Sequence, residues 1–153
     1  PHLLRPPGAR VEEEFIARCI RCGECIKVCP SGTLHPSFLE GGIEGLWTPR
    51  LIPRIAPCEL CFSCGEVCPT GAINRISSLS EVKIGTANIN RERCIAWKGE
   101  ALCLVCMEYC PVQAIWADEK KRPHVRVDIC VGCGQCENHC PVEGVAAIQV
   151  FRV

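Results

Sequence analysis

Sixteen cysteines fall into four groups of four, and every group ends in Cys-Pro. The groups are Cys19, Cys22, Cys25 and Cys29-Pro30; Cys58, Cys61, Cys64 and Cys68-Pro69; Cys94, Cys103, Cys106 and Cys110-Pro111; and Cys130, Cys133, Cys136 and Cys140-Pro141. Three read C-x2-C-x2-C-x3-C-P, and the third group differs only by a longer gap after Cys94. That run is the ligand signature of cubane [4Fe–4S] clusters. A cubane offers four iron corners, and a tight loop with a cysteine at every third position brings three thiolates to three of them. The fourth cysteine lies too far round to close the same set and usually ligates a neighbouring cluster. Four complete motifs use all sixteen cysteines, so the sequence implies four [4Fe–4S] clusters.

Two plainer readings compete. More than a tenth of the chain is cysteine, a level at which a short secreted chain suggests a disulfide scaffold. Disulfide frameworks, however, do not repeat a three-residue beat with a terminal proline four times. Zinc sites pair C-x2-C units and have no need of a third cysteine on the same beat. The iron–sulfur reading accounts for the spacing; the other two do not.

The cysteines also bear on how such a chain stays folded. Apolar residues make up 48% of the 153, but without the cysteines roughly 37% remain, and aromatics are only 5%. That is thin material for a core. Small lobes of this kind need staples, and metal clusters can serve as such, so the apo-chain is expected to be largely disordered. The formal charge is zero, from 17 basic and 17 acidic residues, which gives no nucleic-acid footprint. No apolar stretch approaches the ~20 residues of a transmembrane helix. No signal peptide is legible either, but the chain opens on Pro1 rather than Met, which suggests an excerpt or a processed product.

The groups begin at residues 19, 58, 94 and 130, an internal repeat. After each Cys-Pro a similar phrase returns: Pro30-Ser-Gly-Thr-Leu34, Pro69-Thr-Gly-Ala-Ile73, Pro111-Val-Gln-Ala-Ile115, and a looser Pro141-Val-Glu-Gly-Val-Ala-Ala-Ile148. Each proline is expected to end a short helix carrying the fourth cysteine. Ala114–Ala117 and Val125–Val127 flank the charged turn Asp118–Pro123 and read as a hairpin. Lys83–Asn90 and Ala147–Arg152 alternate as outer strands that could pair and close a two-cluster lobe. Group one is approached through Val11–Arg18, where Glu12–Glu14 suits a solvated helix start. The Gly/Pro-rich stretch 41–57 is expected to be irregular, placed to cover a cluster or meet a neighbouring subunit, and Ser77–Glu81 reads as a joint. The expected fold is α+β: tandem bacterial-type 2[4Fe–4S] ferredoxin-like lobes with short helices, β-hairpins and long loops. The N-terminal lobe would be residues 1–79, with groups one and two, and the C-terminal lobe 80–153, with groups three and four.

The remaining polar and aromatic candidates are weaker. His139 adjoins Cys140 and is expected to pack or be solvated, while His2, His35 and His124 lie outside the motifs and are expected on the surface. Trp97 is expected to pack over a cluster, and Trp47 and Trp116 to anchor core or loop. Lys120-Lys121-Arg122 reads as a soluble hairpin tip. Gly23, Gly65, Gly132 and Gly134 would let backbone wrap closely around a cluster. If every iron has a thiolate, no corner stays open for a substrate, and no C-x3-C-x2-C radical set occurs. The chemistry this leaves is one-electron transfer without an own substrate site. A catalytic chain or clusters acting only as structural staples are the competing functions.

The flanking phrases are more specific than the cysteines. Leu4-Arg-Pro-Pro-Gly-Ala9 precedes Glu14-Phe-Ile-Ala-Arg-Cys-Ile-Arg-Cys-Gly23; Thr48-Pro-Arg-Leu-Ile-Pro53, Cys68-Pro-Thr-Gly-Ala72 and Ile84-Gly-Thr-Ala87 follow. The widened third group and Cys136-Glu-Asn-His-Cys-Pro141 with Ala146-Ala-Ile148 complete the set. In these phrases the chain resembles the ferredoxin-type electron-transfer proteins of periplasmic nitrate reduction and methylamine oxidation, the NapG/MauM family. The resemblance implies a relay between a membrane-bound quinol-oxidising partner and a terminal oxidoreductase. It also implies a periplasmic place on the outer face of the bacterial cytoplasmic membrane, with a cytoplasmic location as the alternative.

Two pairings of the groups stay open. In adjacent pairing the fourth cysteines cross between neighbours, giving Cys19/Cys22/Cys25/Cys68, Cys58/Cys61/Cys64/Cys29, Cys94/Cys103/Cys106/Cys140 and Cys130/Cys133/Cys136/Cys110. Nested pairing would join group two to group three and group one to group four. The adjacent scheme is preferred, because the strands around groups three and four can close a lobe unaided.

Overall fold

A computed structural model describes residues 3–152. The longest helix in it, α1 (Glu12–Arg18), is less than two turns. Its three glutamates occupy the first turn and Arg18 the last, as the helix dipole favours, and Phe15 is wholly buried beneath it. Five shorter helices follow: α2 (Glu24–Val28), α3 (Ser63–Glu66), α4 (Ile95–Lys98), α5 (Val105–Glu108) and α6 (Gln135–Asn138). Helices of one turn have no stability of their own, so their surroundings must hold them. Four of them, α2, α3, α5 and α6, carry the third cysteine of a group: Cys25, Cys64, Cys106 and Cys136. The expectation that such a helix would carry the fourth cysteine is corrected here, since each ends before it; in α2, Cys29 is the C-cap.

The strands form three two-stranded antiparallel pairs. β1 (Leu34–Pro36) pairs with β2 (Pro49–Leu51), setting Leu34 opposite Leu51. β4 (Ile115–Ala117) pairs with β5 (Pro123–Val125), setting Ile115 opposite Val125. β3 (Thr86–Ile89) pairs with β6 (Ile148–Phe151), with Ala87 opposite Val150 and Ile89 opposite Ile148. The expected C-terminal hairpin and outer strand pair are therefore present, both shorter than the sequence ranges. The 41–57 stretch is not irregular throughout, because β2 lies inside it. Three residues, Pro49-Arg50-Leu51, are too few for alternation to register.

A repeat in space accompanies the repeat in sequence. β1–β2 separates groups one and two as β4–β5 separates groups three and four. The N-terminal counterpart of β3–β6 shrinks to a single bridge, Ala9 to Ile73, flanked by Arg10 N–H to Ala72 O at 3.1 Å and Asn74 N–H to Gly8 O at 2.7 Å. Residues after Pro6-Pro7 do not read as a strand, which is why this closure was not foreseen.

The halves share one buried core that runs from Leu4, Phe15, Leu34 and Leu51 through Ile73 and Ile84 to Ile115, Val131 and Val150. A seam of polar contacts crosses between them. The Cys58 N–H donates to Cys133 O at 2.8 Å. Arg54 reaches four carbonyls beyond and within α6: Glu137 at 2.9 Å, Cys140 at 3.0 Å, Val142 at 2.6 Å and Gly144 at 3.1 Å. Asn138 returns the contact, donating to Pro53 O at 3.0 Å. Near the chain ends Glu12 accepts from both Arg5 and Arg152, so this member of the acidic run is paired rather than solvated. Arg5 is itself buried, with further bonds to Thr48 Oγ1 and Pro49 O, both at 2.8 Å.

Candidate metal centres

Three of the four motif loops turn tightly around their second cysteine. In three groups the residues on either side of that cysteine both adopt positive φ: Arg21 (59°) and Gly23 (75°) around Cys22, Leu60 (57°) and Phe62 (61°) around Cys61, and Gly132 (78°) and Gly134 (82°) around Cys133. Two left-handed residues in quick succession curl the backbone so that its cysteines face one interior. The glycines at 132 and 134 have a second reason. A Cβ on Gly132 would lie 2.4 Å from Gly85 N, and one on Gly134 would lie 2.4 Å from Pro53 Cβ. Gly65 differs from the expectation: it is helical within α3, and its lack of a side chain admits Asn74 O instead.

The curled loops line four cavities. Cys19, Cys22, Cys25 and Cys68 line the first. Cys58, Cys61, Cys64 and Cys29 line the second. Cys94, Cys103, Cys106 and Cys140 line the third, and Cys130, Cys133, Cys136 and Cys110 the fourth. Counting the space at their mouths, the volumes are about 350, 330, 350 and 310 Å³. All sixteen cysteines thus fall into four sets of four, and in each set the fourth member comes from the partner group. These are the sets written above for adjacent pairing.

The cavities follow one another through packed elements. Helix α2 lies on α3, which sets Cys25 of the first cavity beside Cys64 of the second. Helix α5 lies on α6, which sets Cys106 of the third beside Cys136 of the fourth. The Cys58–Cys133 hydrogen bond joins the second to the fourth across the seam. The spatial order is therefore first, second, fourth, third.

Charge explains what such a set requires. Burial pushes the Cys25, Cys58, Cys64 and Cys106 thiols up to about 12 and Cys133 up to about 11, and neighbouring cysteines push further in the same direction. Cys136 is driven up in the same way, by burial first and then by Cys133 and Cys130. Several thiolates cannot share so small an apolar space unless positive charge joins them. The fourth cysteines of groups one and two behave differently. Burial opposes ionisation of Cys29 and Cys68, but hydrogen bonds outweigh it and hold both below the ordinary thiol value. Ser31 and the backbone of Leu34, Thr33 and Gly32 serve Cys29; Ile73, Thr70 and Ala72 serve Cys68. Further N–H groups approach sulfur elsewhere, Ala114 to Cys110 Sγ at 3.2 Å and Ala87 to Cys130 Sγ at 3.5 Å.

The donor sets fit a polynuclear group. Four sulfurs ring each cavity, yet no three His, Cys, Asp or Glu side chains among the described residues converge as ligands of a single ion would. A cubane has four iron corners to meet sulfurs held apart in this way and supplies the positive charge that the buried thiolates lack.

The comparisons with known proteins point to the same kind of cofactor. A 4Fe-4S dicluster domain matches residues 57–114 and 101–144, and a 4Fe-4S binding domain matches residues 17–35. The methylamine utilization ferredoxin-type protein MauM of Methylorubrum extorquens AM1 is 41% identical over 97% of this chain and 72% of its own length. MauM of Paracoccus denitrificans is 40% identical over 97% of this chain and 70% of its own. The ferredoxin-type protein NapG of Escherichia coli K12 is 37% identical over 92% of this chain and 67% of its own. The chain belongs to the MauM/NapG ferredoxin-type family. It is accordingly a ferredoxin-type iron–sulfur protein of the electron-transfer class, and its sixteen cysteines in 4Fe–4S domains are consistent with four [4Fe–4S] clusters. The first dicluster match spans groups two and three, whereas the cavities join one with two and three with four. A linear match registers motif spacing alone and does not bear on which fourth cysteine crosses over.

In this ferredoxin-type chain the other candidates take up structural posts. Trp97 packs against the small buried set of Cys94, Ala96 and Ala147 but does not line the third cavity. It is held between the guanidinium groups of Arg91 at 4.3 Å and Arg122 at 4.4 Å, and its Nε1–H donates to Pro123 O. His124 is not free on the surface: it stacks on Trp116 and pairs with Asp118, which also holds Arg122 at the hairpin tip. His35 is also drawn inward, its Nε2 buried without a hydrogen-bond partner among the described residues. His139 caps α6 and stacks on Tyr109 at 3.7 Å, the packing role expected. Trp47 is exposed and meets Phe38 edge-on. His2 lies outside the described residues.

Proposed function

We propose that the chain is an electron relay in which the four cysteine sets of the adjacent scheme each hold one [4Fe–4S] cluster. The observation that carries this reading is the division of all sixteen cysteines among four cavities of similar size. A bound [4Fe–4S] cluster supplies one reversible one-electron centre, with a potential anywhere from roughly −700 to +450 mV according to its surroundings. The protein's part is to fix, order and insulate those centres. Packing of α2 on α3, the Cys58–Cys133 bond and packing of α5 on α6 support transfer along the cavity order first, second, fourth, third. Exposed Cys22 and Ile20 at the first cavity and Leu102 beside Cys103 at the third leave both ends of that order open to partners. The chain would form two lobes, 1–79 and 80–153, and catalyse nothing alone. Its partners would be a membrane-bound quinol-oxidising subunit and a terminal oxidoreductase, met on the outer face of the cytoplasmic membrane. The names of the MauM and NapG relatives support such a redox setting. Among the described residues no helix is long and apolar enough to cross a membrane.

The test is iron and acid-labile sulfide in the anaerobically purified chain, expected near sixteen of each per chain, with redox titration followed by EPR. Paired substitutions test the sets. C22S/C68S removes two ligands of one set and should cost about four iron atoms, whereas C61S/C68S strikes two sets and should cost about eight. Equal losses from the two variants would overturn the adjacent scheme, and redox-silent clusters would overturn the relay.

A further inference from the structure

The residue that precedes the apolar anchor of each repeat phrase is Thr33, Ala72, Ala114 or Ala147. All four are buried, and each lines its own cavity: Thr33 the second, Ala72 the first, Ala114 the fourth and Ala147 the third. Three repeats place a methyl group there and one places a hydroxyl. Thr33 is 1% exposed, and its Oγ1 has no hydrogen-bond partner among the described residues. Its backbone is fully engaged, with the carbonyl accepting from Ile52 N–H at 3.1 Å. A buried hydroxyl without a partner is costly, and a valine would fill the same volume without that cost. The neighbouring hydroxyl, Ser31, already faces Cys29 Sγ at 3.6 Å and so does not account for Thr33.

We propose that the Thr33 hydroxyl donates a hydrogen bond into the second cavity and raises the reduction potential of the centre held there. The inference rests on the reading that this cavity holds a cluster. The sign follows from charge. Reduction adds an electron to the cluster, so its sulfurs accept a hydrogen bond more strongly in the reduced state, and the donor favours that state. Low local dielectric strengthens the effect. Thr33 is thus a positioning residue for charge: it sets one member of the relay apart from the alanine-lined three. Because the second cavity is interior to the spatial order, an electron would dwell there rather than at an end.

The experiment compares wild type, T33V, T33A and T33S as anaerobically purified full chains, by iron and sulfide content and by EPR-monitored redox titration. T33V and T33A should keep full cluster content and lower one midpoint of the set by about tenfold in its reduction equilibrium, or 59 mV for one electron. T33S, which restores the donor, should return that midpoint towards wild type. In a C61S background, where the second centre is lost, T33V should change nothing further. Unchanged midpoints in a fully loaded T33V chain would overturn the proposal, as would a T33S midpoint displaced as far as that of T33V, which would mark a packing role. Absence of iron–sulfur centres from the wild type would instead remove the relay reading beneath it.

Discussion

Glu137 shows how a single residue adjusts these surroundings. It sits in α6 directly after Cys136, buried, with its carboxylate accepting the Val150 N–H at 2.7 Å. Burial raises its pKa above the ordinary carboxylate value, and neither the Val150 bond nor the Arg54 charge fully reverses this. A carboxyl whose pKa is raised by folding contributes stability that is present below its unfolded value and lost as pH rises through the folded one. Glutamine keeps the acceptor and removes the charge. E137Q should therefore melt above wild type at pH 8, with the gap narrowing as pH falls to 5; thermal melts of the loaded protein across that range provide the check. The left-handed residues belong to the same scale. Gly23, Gly132 and Gly134 were legible as tight wraps, but Arg21, Leu60 and Phe62 adopt the same curl without a glycine to announce it. Only the fixed positions of the flanking cysteines could have revealed them, since the loop geometry is set by the spacing and not by the intervening side chains.

Among the elements, legibility followed length and chemical signal. The cysteine loops, α1, the β4–β5 hairpin and the β3–β6 pair all carry spacing, charge or alternation that a sequence displays. The β1–β2 pair and the Ala9–Ile73 bridge do not, because three-residue strands and single bridges leave no period to detect. Arg54 was equally silent, although it fixes the far end of α6 with four carbonyl contacts. Its role is visible only when residues more than eighty positions away are folded back. R54A should destabilise the loaded protein by about 1.5–3 kcal/mol, the range for hydrogen bonds to a charged group. R54K should recover little, since an ammonium cannot fork across several carbonyls as a guanidinium does. Denaturant midpoints followed by cluster absorbance would measure both, and a lysine variant equal to wild type would contradict the assignment.

For the whole molecule, the shared core matters more than the repeat. Two lobes with separate cores would unfold independently, but here Leu4, Leu51, Ile84 and Val150 belong to one buried set. Unfolding in guanidinium should therefore be a single transition. Trp47 reports on one half and Trp97 and Trp116 on the other, so intrinsic fluorescence and cluster absorbance should change together; two separated transitions would show that the halves are autonomous. The sequence repeat suggested two tandem lobes. It could not show the seam, because Pro53, Arg54 and Cys58 meet Gly134, Asn138 and Cys133 only in three dimensions.

The burial of Cys133 has a bearing on how the molecule is made. Its counterparts Cys22 and Cys61 are exposed, whereas Cys133 lies under the Cys58 backbone, and of its set only Cys110 is partly open. Once the two halves have met, three of the four sulfurs of that set are buried. Biosynthesis would then have to load the innermost centre first and shut the door afterwards, making closure of the chain a late step of maturation rather than its starting point.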